Sequence, residues 1–231
     1  MGFLKSLFSG KVETPEEQQK EDLSKNFDVL KYDGVRALRS RELSYAIQCF
    51  EHALELQEDL ETRDYLSQAY IQSDNLPQAC EQLQKLADAQ PENVQVLVRI
   101  ANVQFMMEDY NAMNETCEHA LLIDKDNPLL LYLYARACIG QGDLSNGIAL
   151  LSKTIAVRED YGDAYLLRGE TLLDMGDTEG ADEDATWLME HTEGIEEVLM
   201  LKGRIEEKKG NKEEAERYYE QVKKVNPFAF Q

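Results

Sequence analysis

Small residues return along this chain at a fixed interval. Gly34, Ser67, Ala101, Ala135, Gly169 and Gly203 are 33, 34, 34, 34 and 34 residues apart. Twelve residues after each stands a second position, Ala46, Ala79, Met113, Gly147, Ala181 and Ala215, small in five of six cases. Four residues further come Phe50, Leu83, Cys117, Leu151, Ala185 and Tyr219, and three beyond those Ala53, Leu86, Ala120, Thr154, Leu188 and Val222. Offsets of four and three put these positions on one face of a helix. Between the halves of each unit lies a pair suited to a turn: Asp74-Asn75, Glu108-Asp109, Gly142-Asp143, Gly176-Asp177 and Gly210-Asn211, with Arg41-Glu42 the weakest. Each unit is predicted to be two antiparallel helices of about 12 to 14 residues, small where the two backbones approach.

A period of this length identifies a repeat architecture, and the pattern resembles the tetratricopeptide repeat. That family's opening aromatic-or-large position corresponds to Leu30, Arg63, Leu97, Leu131, Tyr165 and Leu199. Its tyrosine is kept only by Tyr70, and its closing proline by Pro91 and Pro227, with Glu58, Lys125, Glu159 and Glu193 elsewhere. The resemblance implies an all-α fold, a right-handed superhelical solenoid of about six antiparallel helix-turn-helix repeats. The repeats are placed at about 27–59, 60–93, 94–127, 128–161, 162–195 and 196–227. A short amphipathic segment (1–12) and an acidic linker or cap (13–26) precede the array, and a tail (228–231) follows it.

The resemblance further implies a protein that binds a protein or peptide segment along a concave groove lined by the first helix of each unit. The groove positions in the middle of the array are Val98, Asn102, Phe105, Tyr132, Arg136, Ile139, Leu166, Glu170 and Leu173. They read as an apolar floor crossed by a polar row of Asn102, Arg136 and Glu170, a composition suited to segment recognition. A packing role stands beside this one: Phe105, Ile139 and Leu173 lie near helix ends, and Arg136, Glu170 and Arg204 can pair with one another. Some members of the family clamp acidic chaperone tails with Lys, Asn, Asn, Lys and Arg. Here Lys31 and Arg99 match, while Val35, Tyr65 and Gln95 do not.

Charge narrows the partner. The 231 residues carry 24 Lys plus Arg against 45 Asp plus Glu, a net −21, which opposes nucleic-acid binding and acidic partners and favours neutral or basic ones with apolar anchors. No apolar run approaches the roughly 20 residues of a membrane span. Four cysteines without a C-x-x-C pair fit a reducing, cytoplasmic setting. Residues 1–12 depart from the acidic trend. Phe3, Leu4, Leu7 and Phe8 form a narrow apolar face beside Lys5 and Lys11, and Met1-Gly2 with Ser6 fits a weak acylation pattern. Three readings stand for this segment: a cap on the first unit or its own groove, a peripheral membrane anchor for an assembly or biogenesis factor, or a docking peptide. At the other end, Phe228 and Phe230 either fold over Tyr218, Val222 and Val225 or leave a surface for self-association.

No constellation points to an enzyme, a metal or a cofactor. His52, His119 and His191 are isolated and read as solvated, and Cys117-x-His119 is not a zinc spacing. Trp187 reads as a packing residue. The run Asp174, Asp177, Glu179, Asp182, Glu183, Asp184 lacks the calcium-loop order and reads as a turn with a solvated helix start. No glycine-rich phosphate loop is present.

Overall fold

The computed structural model describes residues 15–192 and 195–229. Among these the chain forms twelve α-helices and no strand: α1 (Pro15–Arg39), α2 (Leu43–Leu56), α3 (Leu60–Gln72), α4 (Leu76–Ala89), α5 (Val94–Met106), α6 (Tyr110–Ile123), α7 (Pro128–Gly140), α8 (Leu144–Val157), α9 (Gly162–Met175), α10 (Thr178–His191), α11 (Glu196–Lys209) and α12 (Lys212–Val225). The chain divides into two compact units, Met1–Pro91 with α1 to α4 and Glu92–Gln231 with α5 to α12. The division falls beside the repeat boundary expected at residue 93. Within each unit consecutive helices form hairpins, and each hairpin packs on the next.

The periodic positions are the core. Ala46, Ala79, Met113 and Ala181 are fully buried, as are Phe50, Leu83, Cys117, Leu151 and Ala185; of the positions expected to face inward, Tyr219 alone is half-buried. The small residues are needed where helices cross. A Cβ on Gly34 would sit 2.6 Å from Cε1 of Phe50, so α1 and α2 approach at a distance that the side chain of alanine would already obstruct.

Each hairpin turn uses its two residues for two jobs. The first residue is left-handed in all six turns: Arg41, Asp74 and Glu108 at φ 61°, 61° and 57°, and Gly142, Gly176 and Gly210 at 82°, 88° and 84°. The amide of the second residue then donates to the carbonyl five residues back, as Asp109 does to Gln104 at 2.9 Å and Asp143 to Cys138 at 2.8 Å. This closes the preceding helix with a Schellman motif. In three turns the same second residue also caps the next helix: Asp109, Asp143 and Asp177 accept from the amides of Ala112, Asn146 and Gly180. The turn at Arg41-Glu42, weakest in sequence, adopts the same conformation. A left-handed residue with a Cβ costs roughly 1–2 kcal/mol, partly offset by the extra unfolded-state freedom of glycine. Glu108→Gly is therefore expected to stabilise the second unit by about 0.5–1 kcal/mol, read from urea midpoints.

Two terminal expectations change. The stretch 13–26, expected as an acidic linker or cap, is helical from Pro15 and continuous with the first helix of the first repeat, so that α1 has 25 residues where the others have 13 or 14. Proline suits this first position because the amide it lacks would have no helical partner there. At the C-terminus Phe228 is 70% exposed and Val225 56%, while Val222 is fully buried by its own hairpin; Phe228 does not fold over them. Phe230 lies outside the described residues.

Candidate partner-binding groove

In the second unit first helices of neighbouring hairpins meet in two places. α5 touches α7 directly and α9 touches α11, whereas no two second helices make comparable contact among the described residues. Beside these helices runs a chain of ring contacts, whose members are half-buried except Tyr161, which is 8% exposed and part of the core, and Arg158, which is exposed. The guanidinium carbon of Arg136 lies 3.5 Å from the ring centre of Phe105 and 5.7 Å from that of Tyr132. Tyr132 in turn lies 5.3 Å from Tyr161, whose ring carries Arg158 at 4.6 Å. Phe105 meets Tyr110 edge-on at 6.1 Å. Guanidinium-on-ring contacts of this kind are each worth about 0.5–1 kcal/mol at exposed sites and hold the aromatic faces in fixed orientations.

The nine groove positions expected from sequence fall into three sets. Val98 and Leu173, 6% and 1% exposed, are core and offer nothing to a partner; Leu173 packs with Ala181, Ala185, Leu201 and Ile205. Ile139 is half-buried against the cluster of Ala135, Leu151, Tyr161 and Ala164, in the packing role expected of it as the alternative; Tyr132 packs against the same cluster and is half-buried too. The other six line the accessible side. Phe105, Arg136 and Tyr132 belong to the stack, Asn102 donates to the carbonyl of Val98 at 2.9 Å, and Leu166 covers the Leu173 cluster with one flank. Glu170 is half-buried with neither hydrogen bond nor ion pair to any described residue. Burial pushes its carboxyl above the usual range; Arg204 works against that shift, and Asp174 and Glu197 add to it. The polar row does not pair with itself, since Arg204 is bonded to Asp174 at 2.8 Å and Arg136 is stacked on rings.

Beside Leu166 the groove opens into a cavity of about 510 Å³ between the starts of α9 and α11, lined among others by Tyr161, Asp163, Leu166, Ile195 and Glu197. The sequence reading missed Tyr161, Arg158, Asp163 and Glu197. Tyr161 stands in the connection before α9, where a reading of helix faces does not reach, although an aromatic near the closing-proline position was a visible signal. Burial raises the hydroxyls of both Tyr132 and Tyr161; Asp163 adds to each shift and Arg136 opposes it.

Comparison with known proteins follows the same geometry. A model of the family described as tetratricopeptide repeat matches residues 196–228. Residues 196–228 carry a tetratricopeptide repeat. Solved structures share the fold at low identity, and at that level they speak for the fold alone. MamA of Desulfovibrio magneticus RS-1 is 17% identical with a TM-score of 0.65, covering 72% of this chain and 94% of its own. A tetratricopeptide repeat protein of Parabacteroides merdae is 16% identical with a TM-score of 0.66, covering 90% and 85%. PilF of Pseudomonas aeruginosa is 13% identical with a TM-score of 0.67, covering 89% and 94%. The sequence matches no curated protein.

Elsewhere in the repeat array, charged residues expected at the surface hold helices together. Asp184, placed by sequence in a solvated helix start, is 3% exposed and receives Arg168 through two hydrogen bonds of 2.9 and 2.7 Å. Asp182 accepts from Lys202 at 2.6 Å and Lys209 at 2.8 Å, tying α10 to α11. Lys31, one of two matches to the chaperone-tail clamp, is occupied by Asp59 and Glu61 at 2.8 and 2.6 Å. Trp187 stacks between Tyr165 and His191 at 3.8 and 4.2 Å, which gives it a packing role and gives His191 a partner. The four cysteines are not joined in disulfides, and burial raises Cys117 to about 12, far from a reactive thiolate. Among the described residues no three His, Cys, Asp or Glu side chains are grouped to hold a metal, and no helix is long and apolar enough to cross a membrane. Phe3, Leu4, Leu7 and Phe8 lie outside the described residues.

Proposed function

We propose that this repeat protein is a non-enzymatic interaction scaffold that holds a segment of a partner protein on the α5, α7 and α9 face of its second unit. The observation that carries the reading is the stack of Phe105, Arg136, Tyr132 and Tyr161 beside the Leu166 cavity. Rigid aromatic faces next to a concave apolar site are what binding hot spots are built from, because little side-chain freedom remains to be lost on association. The net charge of −21 supports a neutral or basic segment with apolar anchors, since an acidic one would be repelled at long range. Four cysteines not joined in disulfides support a reducing compartment such as the cytoplasm.

The test is affinity purification followed by mass spectrometry, comparing the wild-type chain with a Phe105→Ala, Tyr132→Ala, Leu166→Ala triple variant whose helicity is checked by circular dichroism. At least one partner is expected to be captured by the wild type and lost by the variant. The same partner list for both would sink the groove as the binding face.

A further inference from the structure

The repeat register places Val29, Tyr32 and Arg36 of α1 at positions that later first helices cover. In α3, α7, α9 and α11 the counterparts of Val29 are Thr62, Leu130, Ala164 and Val198, and those of Arg36 are Ala69, Ala137, Thr171 and Ile205; all eight are buried. The counterparts of Tyr32 are Tyr65, Leu133, Leu167 and Leu201, buried or half-buried. The second helix of the preceding hairpin supplies the cover. Tyr65 stacks on Phe50 of α2 with ring centres 5.7 Å apart, Ala164 clusters with Leu151 of α8, and Leu201 and Ile205 cluster with Ala181 and Ala185 of α10. On α1 the same face is open: Val29 is 59% exposed, Tyr32 68%, and Arg36 is exposed as well.

A single large apolar residue on a surface is ordinary. Two of them at the very positions that the other hairpins cover call for an occupant. A helix face that meets only water gains nothing from valine or tyrosine, both weaker helix formers than the glutamate, glutamine and lysine that fill the start of α1.

The chain carries a fitting occupant just before α1. Residues 1–14 lie outside the described residues, and their sequence puts Phe3, Leu4, Leu7 and Phe8 on one face of a short helix. The reach suffices. The seven steps from Phe8 to Pro15 span up to about 23–25 Å when extended, and the fourteen from Pro15 to Val29 rise about 21 Å along α1. Ser9-Gly10 offers a place for the chain to reverse. Charge favours the contact too, because residues 1–12 hold Lys5 and Lys11 and no carboxylate, whereas α1 holds Glu16, Glu17, Glu21, Asp22, Asp28 and Asp33.

We infer that residues 3–8 fold back along α1 and cover Val29 and Tyr32, in the place that a preceding second helix takes in later hairpins. Phe8 then falls beside Val29, and Phe3 and Leu4 one turn further on beside Tyr32, an aromatic partner of the kind that Phe50 provides for Tyr65. The apolar face of the segment is thereby occupied by its own first repeat and is withheld from membrane surfaces and from the groove.

Hydrogen exchange followed by mass spectrometry on the full-length chain tests this through the amides of α1 from residue 23 to residue 36. One variant carries Phe3→Ser, Leu4→Ser, Leu7→Ser and Phe8→Ser, a second carries Val29→Ala and Tyr32→Ala, and a third combines the two sets. Alanine is a better helix former than valine or tyrosine, so on a face that meets only water the second variant would exchange no faster than the wild type. On a covered face it should exchange about tenfold faster or more, as the serine variant should. The combined variant should be no faster than either alone, because each set removes the same contact. These effects should hold throughout a dilution series, with the amides of α12 in the other unit unchanged.

The inference is overturned if Val29→Ala with Tyr32→Ala leaves exchange in α1 unchanged or slows it, or if the effects of the two sets add. An effect that disappears on dilution assigns the segment to a second copy of the chain and overturns it as well. So does a membrane role, in which the wild type sediments with vesicles containing phosphatidylglycerol, the serine variant does not, and exchange in α1 is the same for both.

Discussion

Replacing Asp184 with alanine is expected to destabilise the second unit by about 3 kcal/mol, among the largest effects of any single substitution away from the apolar core. The carboxylate is 4% exposed at the side-chain level and holds the 21%-exposed guanidinium of Arg168 across the α9–α10 hairpin. Its loss leaves Arg168 with one remaining hydrogen bond, to the hydroxyl of Ser152 at 2.9 Å, and a charge that cannot rehydrate fully. The cost comes mainly from the cation left behind, because a buried pair replaced as a whole is often close to neutral. Arg168→Met combined with Asp184→Leu should therefore recover most of what Asp184→Ala loses, whereas Glu183→Ala, at an exposed neighbour, should change stability by less than about 0.5 kcal/mol. Trp187 is the only tryptophan of the chain and stacks on Tyr165 across the same hairpin, so its fluorescence in a urea titration reports this region directly. A loss below about 1 kcal/mol would mean that solvent screens the pair far more than its burial implies.

Asp184 also marks where the sequence stops being readable. The hairpins, their turns and nearly all of the core were legible, because a small residue at each helix crossing and a turn pair between the halves recur in register and each unit confirms its neighbour. Even Arg41, which has none of the composition of a left-handed turn residue, was placed correctly by its position relative to Gly34 and Ala46. What the period did not carry was anything that happens once. Asp184 stands in a run of acids that reads as solvated, and only the packing of α9 on α10 brings Arg168, 16 residues earlier, onto it. The depth of the proposed groove positions was half legible for a related reason. Helical spacing selected Phe105, Tyr132, Arg136, Leu166 and Glu170, which are half-buried, together with Val98 and Leu173, which are core, because spacing fixes a helix face and not how deeply a neighbouring helix covers it. Tyr161 escaped because it belongs to a connection. Gln104 is a further case: it stands where Tyr70 and Cys138 stand in neighbouring units, and its side-chain oxygen is buried without a hydrogen bond.

Leu166→Lys is expected to weaken capture of the partner segment by at least about a hundredfold, roughly 2.7 kcal/mol, while changing the stability of the free protein by less than about 1 kcal/mol. One flank of Leu166 covers the cluster of Leu173, Leu201 and Ile205, and the other lines the cavity. The four-carbon stem of lysine can replace much of that apolar cover while its ammonium extends toward water, so the core is largely preserved. The ammonium then stands at the opening of the cavity, in place of the apolar surface that a segment would meet there. It would also remove the apolar floor beside Tyr161. Leu166→Met, of similar volume and without charge, should bind within a few-fold of the wild type and serves as the packing control. If the lysine variant captures the partner as the wild type does, the segment does not enter this cavity, and its contacts lie further along the Phe105, Arg136 and Tyr132 stack.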